Sequence, residues 1–490
     1  MESEKILIVW GCLLLWNPLI QSTQLYPGIK VRITQKGLDY GIQAGMEAIE
    51  LIVKKNGIPD FKGSETLEFL KVDYVDYNFS NIKISSFSFP NISLTPLSGV
   101  GVKVLSNHGS TNISMRWEIS SPLFKDEGGA ALFLGEIFFL GLVNLSRSDT
   151  GHPSMKLQDC YVRIGLARIS FTGELSVLYN SFAEPMEKPI LKTLNKKLCP
   201  IITDQLESIN ANISSLDVVT MFGEDILLDY SLLDSPEITQ SSIDLNLKGT
   251  FYPVGNLTDP PFQPVPFTLP DRSDSMLYIG ISEYFLKSAS FTYFITGAFN
   301  VTLTTKELSK HLIQNPQGIG SLFSQIAELY IMAQPLMMRI LTTEPPVVNL
   351  EPNNFTLNIP GSVVMLTKPE NTTEEAIVSM DFVASTSVGL AILGRKLICS
   401  LSLNRFRLSG PESNHSSIEV LRFENIFSSI LHFGVFPLVN ARLQQGFPLP
   451  NPHQISLVNS DIEVHKGFLL VSTDLRYEPL WKKQRHLDEW

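Results

Sequence analysis

The sequence predicts an α+β protein of two domains, each a strongly bent antiparallel sheet or barrel covered by long amphipathic helices. Three observations support this fold class. Apolar and polar residues alternate over many short stretches, as they do in half-buried strands. Long segments elsewhere repeat apolar residues every three or four positions, which is typical of amphipathic helices. A proline-rich stretch divides the chain almost evenly, and the second half repeats the order of elements of the first.

The N-terminal segment, residues 1–24, predicts a secretory signal peptide. Lys5 precedes the apolar stretch 6–15, and a polar segment follows that stretch. Such an apolar run is too short to span a membrane. A buried N-terminal helix is the alternative reading. We therefore expect a secreted, extracellular protein with no transmembrane segment.

Glycosylation signals predict the same compartment. The chain contains ten Asn-x-Ser/Thr sequons, an excess over chance pairing. Around Asn112, Asn300 and Asn354 the apolar residues occupy the other parity, so these asparagines should lie on the solvent face of strands. The predicted acceptors are Asn78, Asn91, Asn112, Asn144, Asn212, Asn256, Asn300, Asn354, Asn371 and Asn414.

The first predicted helix begins at Lys36, where polar residues start to recur three or four positions apart. Its apolar stripe contains Leu38, Ile42, Gly45 and Ile49. Gly45 leaves room for a ligand or, alternatively, for tight packing against a sheet. Strands are predicted next at 75–85 and, later in this half, at 243–247.

A second helical stretch runs from about residue 176 to 212, with an apolar residue at every fourth position. Its prolines at 185, 189 and 200 should kink or segment it. The apolar stripe of its first half contains Phe182, Met186, Ile190 and Leu194.

The clearest boundary is the stretch 259–270, whose five prolines exclude helix and central strand. It predicts a first domain at 25–250, a linker at 251–272, a second domain at 273–478 and a polar tail at 479–490. In the second half we expect strands at 276–304, 354–366, 377–408 and 455–475, and helices near 318–341 and 423–445. An Asn-x-x-Leu pattern occurs late in each half, at Asn195 and at Asn440.

Charge and motifs disfavour several function classes. The net charge is −11, so a nucleic-acid partner is not expected. The sequence has no Gly-x-Ser-x-Gly elbow, phosphate-binding loop or His-Glu-x-x-His pattern, so we expect no enzyme activity, cofactor or metal. Three cysteines follow the signal peptide, which allows one bridge and one free thiol. Cys399 lies in an apolar run and is expected to be buried rather than nucleophilic.

Several segments resemble one known family. The N-terminal stretch 27–40, the proline-rich linker with residues 276–280, and the segment 443–450 are similar to the corresponding parts of bactericidal/permeability-increasing protein. Its family also contains lipopolysaccharide-binding protein and the plasma lipid transfer proteins. The resemblance covers essentially the whole chain after residue 25, and within the family it is greatest to the secreted branch called family C of this fold.

The resemblance implies an elongated molecule in which two antiparallel barrels flank a shared central sheet. It implies a disulfide between Cys160 and Cys199, and a phospholipid held in an apolar pocket beneath the long helices of each barrel. The two apolar stripes that begin at Leu38 and Phe182 would then cover the N-terminal pocket.

One departure from the family concerns charge at the N-terminal tip. Members that bind endotoxin have a strongly basic tip, whereas residues 25–248 of this chain hold 20 Lys and Arg against 26 Asp and Glu. Only Lys54, Lys55 and Lys62 cluster there, and exposed clusters of this size are screened by salt. We expect a secreted protein that binds phospholipid-like ligands. A wider form of the same hypothesis adds the transfer of these ligands. The alternatives are innate-immune recognition of bacterial lipopolysaccharide and a role through protein partners.

Overall fold

The structure is a computed structural model of the chain. It describes residues 26–56, 60–67, 72–121, 125–173, 176–181, 183–215, 217–304, 336–367, 375–394, 396–409, 424, 427–449 and 455–477. The predicted signal peptide and polar tail lie outside the described residues.

The first half of the chain supplies every strand of one large sheet and the longest described helices. Its elements are β1 (Ile29–Thr34), α1 (Gln35–Asn56), β2 (Phe61–Leu67), β3 (Val72–Ser88), β4 (Asn91–Leu97), β5 (Gly101–Ser120), β6 (Lys125–Arg147), β7 (Pro153–Thr172), α2 (Ser176–Ser181), α3 (Ala183–Ser214), β8 (Val219–Phe222), β9 (Ile226–Asp229), β10 (Glu237–Ile238), β11 (Ser242–Leu247) and β12 (Thr250–Pro253).

The second half supplies another large sheet and completes a third. Its elements are β13 (Leu277–Ser282), α4 (Glu283–Ile295), β14 (Val301–Thr304), β15 (Leu336–Thr342), β16 (Val347–Glu351), β17 (Asn354–Thr367), β18 (Glu375–Leu393), β19 (Lys396–Leu408), a π-helical turn (Leu431–Val435), α5 (Phe436–Leu443), β20 (Phe447–Pro448), β21 (Ile455–His465) and β22 (Phe468–Tyr477).

The N-terminal sheet is antiparallel, in the order β2-β3-β5-β6-β7, with β4 paired to the other end of β5. Its strands alternate as predicted. On β5 the side chains of Ile113, Trp117 and Ile119 are buried, whereas Asn112 is exposed. Register shifts interrupt several strand pairs of this sheet. Such bulges increase local twist, which lets very long strands curve around one apolar face.

The central sheet joins the two halves. Its order is β10-β11-β1-β13-β22-β21, so three strands of the first half meet three strands of the second half at the β1–β13 pair. Ile29 pairs with Leu247 on one side and Ile281 on the other, and Ile29 and Ile281 are fully buried. This shared sheet confirms the central sheet that the family resemblance implied, within the two-domain architecture that the sequence predicted.

The C-terminal sheet follows the order β14-β15-β17-β18-β19-β20, with β16 paired to β17. Its inner face packs against residues before and within the π-helical turn. Phe427, Ile430 and Leu431 are at most 4 % exposed in that contact. Asn300 and Asn354 are exposed and their neighbours Leu303 and Phe355 are buried, which confirms the predicted faces of these strands.

The proline-rich stretch does not coincide with the packing boundary between the halves. Strands β8, β9 and β12, between residues 219 and 253, form a small sheet of their own. Leu228 and Phe251 of this sheet pack in the same core as Leu397 and Leu449 of the second half. Residues 250–253, which were expected to lie partly in the linker, are strand, and a turn at residues 254–255 follows them.

Three predicted elements differ in the structure. The expected strand region 276–304 contains helix α4, which buries Phe285 and Ala289 against the central sheet. Residues 336–341, expected to be helical, form strand β15, while the earlier part of that predicted helix lies outside the described residues. The helix predicted at 176–212 is present as α2 and α3, and α3 continues through Pro189 and Pro200 instead of being segmented there.

Candidate functional site

Helix α3 lies along β7, the edge strand of the N-terminal sheet, and asparagine side chains fasten it there. The side chain of Asn195 accepts from the backbone N–H of Ile164 at 2.7 Å and donates to its carbonyl at 3.4 Å. Asn180 of α2 makes the same two bonds with Phe171, at 2.7 and 3.0 Å. Each amide satisfies an edge residue as a neighbouring strand would, so the helix closes the sheet edge.

A third asparagine and the disulfide complete this attachment. Asn210 accepts from the backbone N–H of Met155 at 2.9 Å and donates to the carbonyl of the same residue. Cys160 of β7 is bonded to Cys199 of α3, 39 residues away in sequence, so the expected disulfide is present. The helix is therefore held to the strand at several points along its length.

The stripe predicted on α3 faces the apolar side of the N-terminal sheet. Ile190 and Leu194 pack against the cluster formed by residues such as Trp117, Leu132 and Ile164. They remain partly exposed, whereas the sheet residues beneath them are buried. Phe182 lies outside the described residues, and so does the side chain of Met186. The stripe of α3 is thus in contact with the sheet but incompletely buried.

Helix α1 contributes the other predicted stripe. Leu38 is 9 % exposed and packs with Val102, Ile238 and Ile243, next to the central sheet. Further along, Ile42 and Gly45 are only partly buried, and no described atom lies within 4 Å of the position that a Cβ of Gly45 would take. Open space, rather than tight packing, therefore adjoins α1 at Gly45. The side chain of Ile49 lies outside the described residues.

One end of the helix–sheet interface is closed by aromatic residues. Trp117 donates from Nε1 to the carbonyl of Gly129 at 2.9 Å, and its ring packs edge-on to Phe171 and Tyr179. The Tyr179 hydroxyl donates to Asp126 at 2.6 Å. Burial and this hydrogen bond raise the pKa of Tyr179 to about 12, so the hydroxyl stays protonated and serves as a donor at neutral pH.

The second half repeats the asparagine attachment with a tighter cover. Asn440 of α5 accepts from the backbone N–H of Leu401 at 2.7 Å and donates to its carbonyl at 2.9 Å. Above the C-terminal sheet Phe427 and Ile430 are buried, whereas Val439 and Leu443 of α5 are partly buried. Burial also raises the pKa of the Cys399 thiol to about 12, which keeps it protonated, in keeping with the expected inert role.

The predicted tip residues are only partly described. Lys62 of β2 is exposed, and its charge contributes to lowering the pKa of Glu118, whose carboxylate is paired mainly with Lys125. The side chains of Lys54 and Lys55 lie outside the described residues. The one described lysine therefore has an acidic group nearby.

The predicted glycosylation sites fall into three groups. Asn112, Asn212, Asn256, Asn300 and Asn354 are exposed, and Asn78 and Asn144 are partly buried. The side chain of Asn91, and both Asn371 and Asn414, lie outside the described residues.

The Asn-x-x-Leu pattern at Asn195 and Asn440 did not predict that these asparagines attach a helix to a strand. Asn180, Asn195 and Asn210 recur at intervals of fifteen residues, a signal that could have drawn attention to one face of the helix. Among the residues described, no helix is long and apolar enough to cross a membrane. Among these described residues, no group of three His, Cys, Asp or Glu side chains lies close enough together to hold a metal ion.

Comparisons with known proteins agree with this architecture. The N-terminal domain of the LBP / BPI / CETP family matches residues 37–209, and its C-terminal domain matches residues 220–477. Human BPI fold-containing family C protein is 65% identical over 100% of this chain and 97% of its own. Human phospholipid transfer protein is 24% identical over 92% of this chain and 90% of its own.

Solved structures show the same fold. The crystal structure of lipopolysaccharide binding protein superimposes with a TM-score of 0.58 at 23% identity, covering 93% of this chain and 100% of that one. The relatives are named for binding and transfer and not for an enzymatic reaction, which agrees with the absence of catalytic motifs from the sequence. The second domain match begins at residue 220, where the small sheet packed with the second half also begins. This chain belongs to the LBP / BPI / CETP family.

Proposed function

We propose that the chain is a secreted, glycosylated lipid-binding protein that holds a phospholipid-like ligand between α1, α3 and the apolar face of the N-terminal sheet. One observation carries the proposal. The apolar stripe of α3 contacts a buried apolar sheet while staying partly exposed, and open space adjoins Gly45 of α1. An acyl chain placed there would cover the remaining apolar surface.

The energetics favour an apolar ligand with few polar contacts. Each methylene moved from water into an apolar site contributes about 0.8 kcal/mol, so an acyl chain supplies its own affinity. The names of two relatives, phospholipid transfer protein and lipopolysaccharide-binding protein, support a lipid as the class of ligand. Phe427 and Ile430 are buried against the C-terminal sheet, and the proposal concerns the first half of the chain.

The test is native mass spectrometry of protein secreted from animal cells and purified without detergent. We expect about one phospholipid per chain, released on denaturation. Ile190→Gln should lower the bound fraction at least several-fold because it places an amide in the apolar contact. Ile201→Gln is the matched control, since Ile201 lies on the same helix and is 49% exposed. Lipid-free folded protein, or equal loss in both variants, would overturn the proposal.

A second arm of the experiment addresses lipopolysaccharide. Purified lipopolysaccharide is titrated at low and physiological salt against the wild type and a variant with Lys54, Lys55 and Lys62 replaced by alanine. Saturable binding that weakens with salt and with the substitutions would favour recognition of bacterial lipid at the tip. The balanced charge around Lys62 leads us to expect little difference between the two proteins.

A further inference from the structure

A polar cleft of about 400 Å³ lies on the outer face of the N-terminal sheet, opposite the apolar face just described. Three adjacent strands line it. Asn107 and His108 come from β5, Glu136 and Phe138 from β6, and Tyr161 and Arg163 from β7. Its volume is within the range of small-molecule sites, which is about 300–1,000 Å³.

Backbone irregularities concentrate at this cleft. Five residues other than glycine have positive φ in the described chain, and three of them are asparagines, which tolerate that conformation. The other two are His108, with φ 56, and Glu136, with φ 50, and both line the cleft. The register of β5 against β6 shifts beside His108. Bulges of this kind re-aim side chains, and here they direct two polar residues into one depression.

The two charged side chains of the cleft, Glu136 and Arg163, lie on adjacent strands, β6 and β7. Among the residues described, the side chains of Glu136 and Arg163 form no hydrogen bond and no ion pair. Gly165 makes room for the carboxylate, because a Cβ at that position would lie 2.5 Å from Oε2 of Glu136. Two opposite charges in one cleft, each with free hydrogen-bonding capacity, suit a ligand that is itself neutral and rich in donors and acceptors.

Aromatic surface completes the lining. The rings of Phe138 and Tyr161 meet edge to face, with centroids 5.8 Å apart, and Tyr161 is 54% exposed. An exposed aromatic face beside amide, carboxylate and guanidinium groups matches a saccharide, whose rings present C–H faces and hydroxyl edges. The chemistry therefore favours a sugar over a phosphate or an acyl chain.

One predicted glycosylation site begins beside this cleft. Asn91, the first residue of β4, is the cross-strand partner of Asn107 in the antiparallel register. Strands β5, β6 and β7 continue from there at spacings of about 4.8 Å, so the far wall of the cleft is roughly 14 Å from β4. The backbone of Asn91 therefore lies one strand away from the near wall of the cleft, within the reach of an N-glycan attached at Asn91.

We propose that the cleft is a saccharide-binding site and that the N-glycan of Asn91 occupies it. The glycan then covers Tyr161 and Phe138 and gives Glu136 and Arg163 hydrogen-bonding partners. This inference is independent of lipid binding, which concerns the opposite face of the sheet. It depends on glycosylation at Asn91, which the same experiment measures.

The experiment follows removal of each glycan from the native secreted protein by peptide-N-glycosidase, with site-resolved mass spectrometry over time. We expect the Asn91 glycan to be released at least ten-fold more slowly than the glycan of the exposed Asn354. Tyr161→Ala and Arg163→Ala should abolish that protection. Arg168→Ala is the matched control, because Arg168 is exposed on the same strand outside the cleft, and thermal unfolding checks that all variants fold.

Three results would overturn the proposal: an unmodified Asn91, equal release at Asn91 and Asn354, or protection that persists in the cleft variants. A second arm separates an attached sugar from a free one. Asn91→Gln protein is titrated with N,N′-diacetylchitobiose, and binding that Tyr161→Ala removes supports the cleft as the sugar site. Binding of the free sugar together with an unprotected Asn91 glycan would assign the cleft to an external saccharide and reject the attached one.

Discussion

Single asparagine side chains hydrogen-bond helices to the edge strand of the N-terminal sheet. Ile164 lies on an edge strand and is 3% exposed, so its backbone groups cannot all be satisfied by water. The amide of Asn195 supplies both missing partners from a helix. An asparagine is suited to this because it carries a donor and an acceptor at the spacing of a peptide group.

We predict that Asn195→Ala lowers the free energy of unfolding by about 2 kcal/mol, because it leaves a buried N–H and carbonyl without partners. Lys196→Ala, at the exposed neighbouring position, should change it by less than about 0.5 kcal/mol. Asn195→Asp should lie between them, since the carboxylate still accepts from the N–H of Ile164. Urea unfolding measures all three, and equal effects of Asn195→Ala and Lys196→Ala would contradict the role assigned to this side chain.

A second residue-scale prediction concerns the linker. Arg32 donates to the carbonyl of Pro270 at 3.0 Å, and Arg272 forms an ion pair with Glu463 of β21. The hydrogen bond from Arg272 lowers the pKa of Glu463, with a smaller contribution from neighbouring His465. A lowered carboxyl pKa stabilises the folded state above the ordinary value of 4.5, and this stabilisation is lost as the pH falls through the lowered value.

The difference in urea midpoint between the wild type and Arg272→Ala should therefore be constant from pH 7 to about pH 5 and shrink below that. His465→Ala provides the comparison, because His465 also contacts Glu463, at 3.1 Å. A difference that stays constant down to pH 3 would show that the Arg272 contact is not electrostatic.

At the scale of elements, the disulfide and the asparagines act on the same helix. Closing a loop of this length stabilises a fold by about 3–4 kcal/mol through the entropy of the unfolded chain. We predict a loss of this size for Cys160→Ser combined with Cys199→Ser. Cys399→Ala should cost less, and the unfolding of both proteins under non-reducing conditions gives the comparison. If the double variant keeps its stability, the asparagines alone hold α3 in place.

Many of the helices and strands could be predicted from the sequence, because strand parity and helix periodicity are properties of short segments. Helix α4 was missed since its sequence is dense in aromatic and apolar residues without a polar face, as suits a helix buried against a sheet. At strand β15 the sequence predicts a helix, because Leu336, Met337 and Met338 favour helices intrinsically. Pairing with β14 and β17 on both sides overrides that preference.

The candidate site was predicted only in outline. The stripes beginning at Leu38 and Ile190 do face the sheet, because amphipathicity identifies the apolar side of a helix. The asparagine attachments and the outer cleft were not predicted, since they depend on which strand a helix meets and on where bulges fall in β5 and β6. Sheet register decides both, and no single segment encodes it.

At the scale of the whole molecule, the two halves are held in contact by noncovalent bonds between them and not only by the covalent linker. β1 pairs with β13, and Lys36 of α1 contacts Asp474 of β22 at 2.9 Å. The Tyr40 hydroxyl also accepts from the backbone N–H of Tyr477. Contacts between residues far apart in sequence therefore hold the two halves together at the central sheet.

We predict that cutting the linker leaves the two halves associated. A protease site inserted after Gly255, in an exposed turn, can be cleaved in the native protein. Gel filtration in native buffer should give one peak at the intact mass, and a denaturing gel should give two fragments because the disulfide lies within the first half. Separation of the fragments in native buffer would contradict the importance of the central sheet.

The central sheet also determines when the protein can finish folding. β1 is the first strand to leave the ribosome, yet its partner β11 follows more than 200 residues later, and β22 completes the sheet near the end of the chain. At about 5–20 residues per second, β1 waits on the order of 10–40 s with an apolar edge unpaired. The newly made N-terminal half is therefore exposed to aggregation during this interval, and truncation before residue 468, which removes β22, should leave the edge of β13 unpaired.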